Sequence, residues 1–227
     1  MYLVANFKAH SLDIEAYIER LSNLPTLKTK VVLAPPYPYL LQKIPSPFPL
    51  CSQDVSAFET GPYTGEIPAH LLKSLGASYC LIGHSERRKL FHEDKEVLKK
   101  KFTLCVNEGL NPIFCVGETQ EEHEKNLTLP TISQQLLDVI PPSFTSPIIA
   151  YEPIWSIGSG KVPEASTIAA LIENIKKLFP KALVLYGGSV NAANAKNLAK
   201  VADGLLVGSA SNNIETFIQI LQQLETL

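Results

Sequence analysis

Short apolar runs alternate with stretches of helical period along the whole chain. Residues 3–5, 31–34, 49–52, 79–82, 112–115, 148–151, 183–186 and 204–207 are runs of strand length, dominated by apolar and small side chains. They are continuous, not alternating, so both faces of each strand should be covered, as parallel strands between helices require. Ile14, Tyr17, Ile18 and Leu21 fall at i, i+3, i+4 and i+7, and Ser11 is the expected N-cap of that helix. Ile168, Leu171, Ile172 and Ile175 repeat the spacing, as do Ile214, Phe217, Ile218 and Leu221. Leu98, Phe102 and Cys105 form a shorter stripe stopped by Gly109, and Pro68 and Gly76 bracket a further helix. Eight strands with helical crossovers and no break in composition predict a closed (β/α)8 barrel, one catalytic domain over residues 1–227. A doubly wound open sheet is the rival, and strand count alone does not exclude it. The Pro-rich stretches 35–49 and 141–147 are expected to be tight loops.

Bulk properties narrow the chemistry. A chain of 227 residues, 45% apolar and 19% charged, can bury a large core and is not disordered. Its net charge of -2 argues against nucleic acid or an anionic membrane as main partner, while leaving a small anionic ligand possible. Cys51, Cys80, Cys105 and Cys115 show no metal-binding spacing and are expected to be small buried hydrophobes in a reducing compartment. The N-terminus lacks the basic and long apolar regions of an export signal, and no apolar segment approaches bilayer length. A cytoplasmic location is expected, which makes the sequon at Asn126 an accident of composition.

In a barrel, function collects where strands end and loops begin. Glu152 stands where the run 148–151 empties into a loop, followed by Pro153, Trp155 and a small, Gly-rich turn. A carboxylate held there is poorly hydrated, which raises its pKa and makes it a better base. His84 follows another buried run at the start of a helical turn, where the dipole favours a neutral, hydrogen-bonding ring over imidazolium. Asn6 and Lys8 follow the first run. Glu86 is either a partner of Lys8 or a second acid, and Arg87 and Arg88 are a solvated face or a salt-bridge network. Gly187-Gly188-Ser189 and Gly208-Ser209-Ala210 have the small residues of an anion cradle, although such turns are often only turns. Neither is a dinucleotide fingerprint. Gly160-Lys161 is no P-loop, since Val162 and Trp155 occupy positions that need Ser or Thr and Gly.

Together these blocks resemble the triosephosphate isomerase family: Asn6-Phe7-Lys8, Tyr63-Thr64-Gly65-Glu66, Gly83-His84-Ser85-Glu86-Arg87-Arg88, Cys115-Val116-Gly117-Glu118, the run from Ala150 to Gly160, Tyr186 to Val190 and Gly204 to Ala210. The resemblance covers nearly the whole chain in the family's order. It implies cofactor-independent, metal-free interconversion of dihydroxyacetone phosphate and glyceraldehyde 3-phosphate, a glycolytic and gluconeogenic step. It implies Glu152 as the base, His84 as the group that polarises the carbonyl, and Lys8 and Asn6 as stabilisers of the substrate oxygens. Gly158, Ser189, Gly208 and Ser209 would contact phosphate. Pro153, Ile154, Trp155, Ser156, Ile157, Gly158, Ser159 and Gly160 would form a lid, with Trp155 and Ile157 its water-excluding body. The loop from Gln53 ending in Tyr63, Thr64 and Gly65 would enter a second subunit of a homodimer, a tetramer remaining open. The chain departs from the usual pattern at Phe7 (commonly Trp), Ser156 (Ala), Ser159 (Thr) and Ser209 (Gly). Ser209 is tolerable there only at negative φ. Outer segments near 127–146 and before 183 are short for the family. Another phosphosugar barrel enzyme and a barrel without catalysis are the competing readings. The first would need metal ligands or a Schiff-base lysine, and the second is disfavoured by the presence of Lys8, His84 and Glu152.

Overall fold

Continuous apolar runs become barrel strands because each has two buried faces to fill. In the computed structural model, which describes residues 1–42 and 45–227, the eight runs are β1 (Tyr2–Asn6), β2 (Lys30–Ala34), β3 (Leu50–Ser52), β4 (Ala77–Ile82), β5 (Asn111–Val116), β6 (Ile148–Tyr151), β7 (Leu183–Tyr186) and β8 (Gly204–Val207). Neighbours pair in parallel in chain order, and β8 returns to β1 to close the barrel. The closing register sets Tyr2 opposite Lys30 on one side and Gly204 on the other. The open-sheet alternative is thereby removed.

Successive residues of each strand serve different cores. Val4, Val32, Leu81, Ile113, Ala150, Leu185 and Leu206 belong to a cluster inside the barrel. Their neighbours Ala5, Leu33, Ile82, Phe114, Tyr151, Tyr186 and Val207 pack outward against the helices. Ten helices are present among the described residues: α1 (Ile14–Ser22), α2 (Tyr37–Leu41), α3 (Ala69–Ser74), α4 (Ser85–Leu90), α5 (Lys95–Asn107), α6 (Gln120–Glu124), α7 (Thr128–Val139), α8 (Ala165–Leu178), α9 (Ala192–Ala199) and α10 (Ile214–Glu225). The predicted stripes of α1 and α8 are buried, and α10 buries Phe217, Ile218 and Leu221 with Ile214 packed at its edge. All four cysteines are free and buried, and among the described residues no helix is long and apolar enough to cross a membrane.

Two expectations shift. The N-cap of α1 is Asp13, not Ser11: its carboxylate accepts the N–H of Ala16 at 3.0 Å, directly beside the first buried residue, Ile14. The Pro-rich stretch 35–49 is not all loop, because Pro36 and Pro38 open α2 where a missing N–H costs nothing. Lys43 and Ile44 of that stretch lie outside the described residues.

The Arg87 region is a salt-bridge network. Lys101, only 3% exposed on α5, donates to Asp54 at 2.7 Å and Glu93 at 2.6 Å. Arg87 reaches the same two carboxylates at 2.9 and 2.6 Å. The cluster ties the loop after β3 to α4 and α5. Burial pushes the Asp54 carboxyl up despite the cations beside it, so the cluster tolerates loss of a cation poorly. Lys101→Met should lower stability by about 3 kcal/mol or more, because two buried carboxylates would then share one guanidinium. Lys95→Met, which removes an exposed pair at 3.9 Å, should cost under about 0.5 kcal/mol. Urea unfolding midpoints of the two variants check the contrast.

Candidate active site

The two-residue strand repeat aims the first polar groups. Asn6 ends β1 on the face that Val4 presents to the barrel interior, and Lys8 lies two residues on. Lys8 adopts φ +51, an uncommon conformation for a side-chain-bearing residue. Three hydrogen bonds hold it there. Its N–H donates to Asn6 Oδ1 at 3.1 Å, and the Gln53 amide donates to the carbonyls of Lys8 at 2.7 Å and Ala34 at 2.8 Å. Lys8 Nζ meets Glu86 Oε1 at 2.6 Å, so Glu86 is the lysine's partner and not a second acid in the pocket. Burial pushes the Glu86 carboxyl up, but the hydrogen bond and the charge of Lys8 bring it below the usual glutamate value.

Glu152 follows β6 in step with Ala150 and is 2% exposed. Gly117 and Gly187 make room for it. A Cβ on Gly117 would lie 1.8 Å from the Glu152 carbonyl oxygen, and one on Gly187 would lie 2.8 Å from its Cγ. Burial pushes the Glu152 carboxyl above the ordinary glutamate value. His84, a backbone N–H of Ser85 and Lys8 pull the other way without reversing it.

His84 is 6% exposed and caps α4, its Nδ1 accepting the N–H of Glu86 at 3.3 Å. Only an unprotonated Nδ1 accepts that bond, which assigns the ring proton to Nε2. Nε2 stands 3.4 Å from Glu152 Oε1. Glu86 Oε2, 3.6 Å from Nδ1, would favour the opposite tautomer. The shorter contact with the fixed backbone donor decides between them. Arg88 supports this corner by donating to the carbonyls of Gly83 at 2.7 Å and Cys115 at 2.9 Å.

A cavity of about 200 Å³ is bounded by Asn6, Lys8, His84, Glu152, Ile157, Gly158, Ser189, Gly208 and Ser209. All the predicted catalytic and phosphate-contact residues therefore face one space. Ser209 starts a short 3-10 turn and is not in the left-handed region. Its Cβ is therefore compatible with an amide presented to an anion. Gly158 and Gly160, at φ +68 and +76, form the tip of the 153–160 segment beside the same cavity. Among the described residues, no group of three or more His, Cys, Asp or Glu side chains is arranged to hold a metal ion.

The residues of the 153–160 segment divide into two sets. Ile157, Gly158 and Gly160 line the cavity, whereas Trp155 turns away from it. The indole N–H donates to Glu118 Oε1 at 2.9 Å and the ring stacks on His123 at 4.4 Å. Trp155 anchors the start of the 153–160 segment, and Ile157 is that segment's large apolar side chain at the cavity. The fully buried Glu118, which also accepts from Tyr151 Oη at 3.2 Å, had no sequence signal beyond its place in the Val116-Gly117-Glu118 block. Gln53, Gly117 and Gly187 were equally silent as supports, since their roles depend on partners distant in the chain. Tyr63, Thr64 and Gly65 lie exposed outside the pocket, Tyr63 stacked on Phe58 at 4.2 Å.

The family model described as triosephosphate isomerase matches residues 1–224. A triosephosphate isomerase of Wolbachia pipientis wMel is 36% identical over 230 residues, covering 98% of this chain and 93% of that protein. One from Hahella chejuensis is 41% identical over 228 residues, covering 92% and 91%. One from Chlamydia trachomatis serovar D is 42% identical over 193 residues, covering 79% and 70%.

Burial of Glu152 has a stability consequence with a definite sign. A carboxyl whose folded pKa is raised binds more protons folded than unfolded, so its favourable contribution is complete below the unfolded value near 4.5 and is lost as pH rises through the folded one. Glu152→Gln should therefore be more resistant to urea than the wild type at neutral pH. The two should converge below about pH 4.5, which paired denaturation curves at pH 4 and 7 measure.

Proposed function

The chain belongs to the triosephosphate isomerase family, and on that premise we propose how its residues interconvert dihydroxyacetone phosphate and glyceraldehyde 3-phosphate. The phosphoryl group occupies the end of the cavity bounded by Gly158, Ser189, Gly208 and Ser209, where small residues let main-chain N–H groups approach. The three-carbon part then lies between Glu152 and His84. The Glu152 carboxylate removes a proton from the carbon beside the carbonyl, and the Nε2–H of His84 donates to the carbonyl oxygen as negative charge grows there. Lys8 and Asn6 stabilise the enediolate oxygens. A proton passes from the substrate hydroxyl to the former carbonyl oxygen by way of the His84 ring, Glu152 returns its proton to the neighbouring carbon, and the isomerisation is complete without net redox change. Triosephosphate isomerase is itself a standard example of such tuning, with a carboxylate base, a neutral histidine and a closing loop.

One observation carries this reading: a buried carboxylate and a neutral imidazole 3.4 Å apart, facing one small cavity. The chemistry needs no cofactor from outside. The protein acts in the cytoplasm, in both sugar breakdown and synthesis, as a single catalytic domain.

We further propose a homodimer. The loop tip presents Phe58 and Tyr63, each about 40% exposed and stacked on one another, as a preformed apolar knob. The same loop begins at Gln53, whose amide fixes the Lys8 backbone, so seating the tip in a second subunit would stiffen the lysine's surroundings.

Purified protein should convert dihydroxyacetone phosphate in a coupled assay with excess EDTA. Glu152→Gln should lower kcat by about 10²–10⁴-fold or more while phosphate still binds. Near-normal turnover by that variant would assign the proton transfer to another group. Thr64→Arg should convert the dimer to a monomer in sedimentation and depress activity. A fully active monomer would overturn the proposed coupling between loop and site.

A further inference from the structure

The loop after β5 carries a buried acid that the reaction does not use. Glu118 is 0% exposed, and its Oε1 takes all three side-chain contacts. Trp155 Nε1 donates to it at 2.9 Å, Tyr151 Oη donates at 3.2 Å, and His123 Nδ1 stands 3.7 Å away. Its Oε2 is buried with no hydrogen-bond partner among the described residues. A carboxylate so placed has two neutral donors but no neighbouring charge except the one that His123 can acquire. The ring of His123 lies on the indole of Trp155, with centroids 4.4 Å apart and planes 29° apart. Its side chain is 41% exposed, so a proton can reach it from solvent. An imidazolium there would turn its edge to Glu118 and its face to the indole π-system. At 3.7 Å the neutral ring makes no hydrogen bond to Glu118.

Among the described residues no other ionisable group competes for this role. The 153–160 segment contains none. β6 offers only the phenol of Tyr151, which burial pushes far up and keeps protonated, and the next residue, Glu152, faces the cavity. On α6 itself, Lys125 is paired with Glu121 at 2.6 Å, Glu124 accepts from Gln120, and Glu122 is spent on the Thr119 cap. The one titratable group of α7, Asp138, lies near its far end and accepts from Gln134. Glu86, Arg88 and Lys89 of α4 line a groove beyond Trp155 that His123 does not border. Ser156 sits at a separate junction, with Tyr186 and Ser189 on the β7 side.

We propose that His123 is a positioning residue: its protonation gives Glu118 a counter-charge and clamps Trp155 between ring and carboxylate, so the segment bordering the cavity is held more firmly in acid than in alkali. Ile157 and Gly158, two and three residues past the clamp, line the cavity and carry the effect to a bound anion. The consequence for turnover rests on the isomerase reading, whereas the clamp itself does not. His123 is not among the residues that bound the cavity.

Trp155 is the chain's single tryptophan, so its emission reports the clamp without a label. In ligand-free protein its acrylamide quenching constant should be about threefold larger at about pH 8.5 than at about pH 5.5. That span covers the charge change of a histidine, and the factor is the scale of one exposed cation–π contact or ion pair. His123→Arg, a cation throughout, should give the low value at both pH values, and His123→Gln the high value at both. Sulfate, which keeps its charge over this range, is the probe for the cavity. By calorimetry, its dissociation constant in wild type relative to His123→Arg should be near unity at the lower pH. At the higher pH wild type should bind about threefold more weakly. The ratio cancels any pH effect that arises in the cavity itself. Quenching that does not change with pH in wild type, or changes equally in His123→Gln, would overturn the clamp, as would an arginine variant that behaves like glutamine. A pH-dependent quenching constant with an unchanged sulfate ratio would overturn the positioning role and leave only a stacked pair. Wild-type protein that neither binds sulfate nor isomerises dihydroxyacetone phosphate would instead remove the functional reading, and the quenching series would still decide the clamp.

Discussion

A carboxylate kept dry beside an imidazole that is not charged is the constraint to which the barrel mouth is fitted. If His84 were cationic, its 3.4 Å approach to Glu152 would make an ion pair that lowers the carboxyl pKa and weakens the base. The N–H of Glu86 donating to Nδ1 therefore matters as much as the burial of Glu152. It leaves the Nε2–H facing the pocket and lets desolvation remain the largest influence on the Glu152 carboxyl. Lys8 brings positive charge paired with Glu86 at 2.6 Å, and its pull on the Glu152 carboxyl does not reverse the effect of burial.

The fold meets this constraint through the period of its strands and the size of a few neighbours. Because alternate residues of each strand fill the barrel, continuing two steps past Val4 and Ala150 brings Asn6 and Glu152 to the rim without a special turn. Glu152 then needs space that ordinary side chains on adjacent strands would occupy. Glycines at 117 and 187 provide it on both sides. Strain is concentrated at Lys8, whose left-handed backbone is held by the Asn6 and Gln53 hydrogen bonds. An unstrained lysine would follow a different path out of β1.

Much of this was legible in the chain, for identifiable reasons. All eight strands announced themselves, since two-sided burial demands uninterrupted apolar runs, and the stripes of α1, α8 and α10 followed from helical period. The site residues were visible as polar groups at run ends. What stayed hidden were relations across the sequence. The choice of Asp13 over Ser11 as a cap depends on where Ile14 becomes buried. Glu118 acquires its meaning only when β5 and β6 bring it beneath Trp155 and Tyr151. The family resemblance implied Trp155 as part of a water-excluding lid, and its half-buried indole N–H needs an acceptor, which Glu118 supplies away from the cavity. Composition also says nothing about which of several serines is a surface residue and which, like Ser156, sits at a junction.

A working lid must close firmly enough to exclude water and still open for product, so its net free energy has to lie near zero. Ordering eight residues costs roughly 1 kcal/mol or more each in backbone entropy if they are fully mobile when open. Against this stand the bonds at Glu118, Tyr186 and Ser189, each contributing about 0.5–1.5 kcal/mol net. Those bonds cannot outweigh full disorder, but they can if the stem barely loosens and only the exposed tip at Gly158, Ser159 and Gly160 moves freely. Anchoring the stem on two faces, by Trp155 on one and Ser156 on the other, restricts the motion to that tip. The tip includes Gly158, which borders the proposed phosphate end of the cavity. On the proposed reading, a phosphoryl group that met Gly158 only in the closed form would tip a nearly balanced equilibrium toward it with binding energy from a non-reacting part of the substrate.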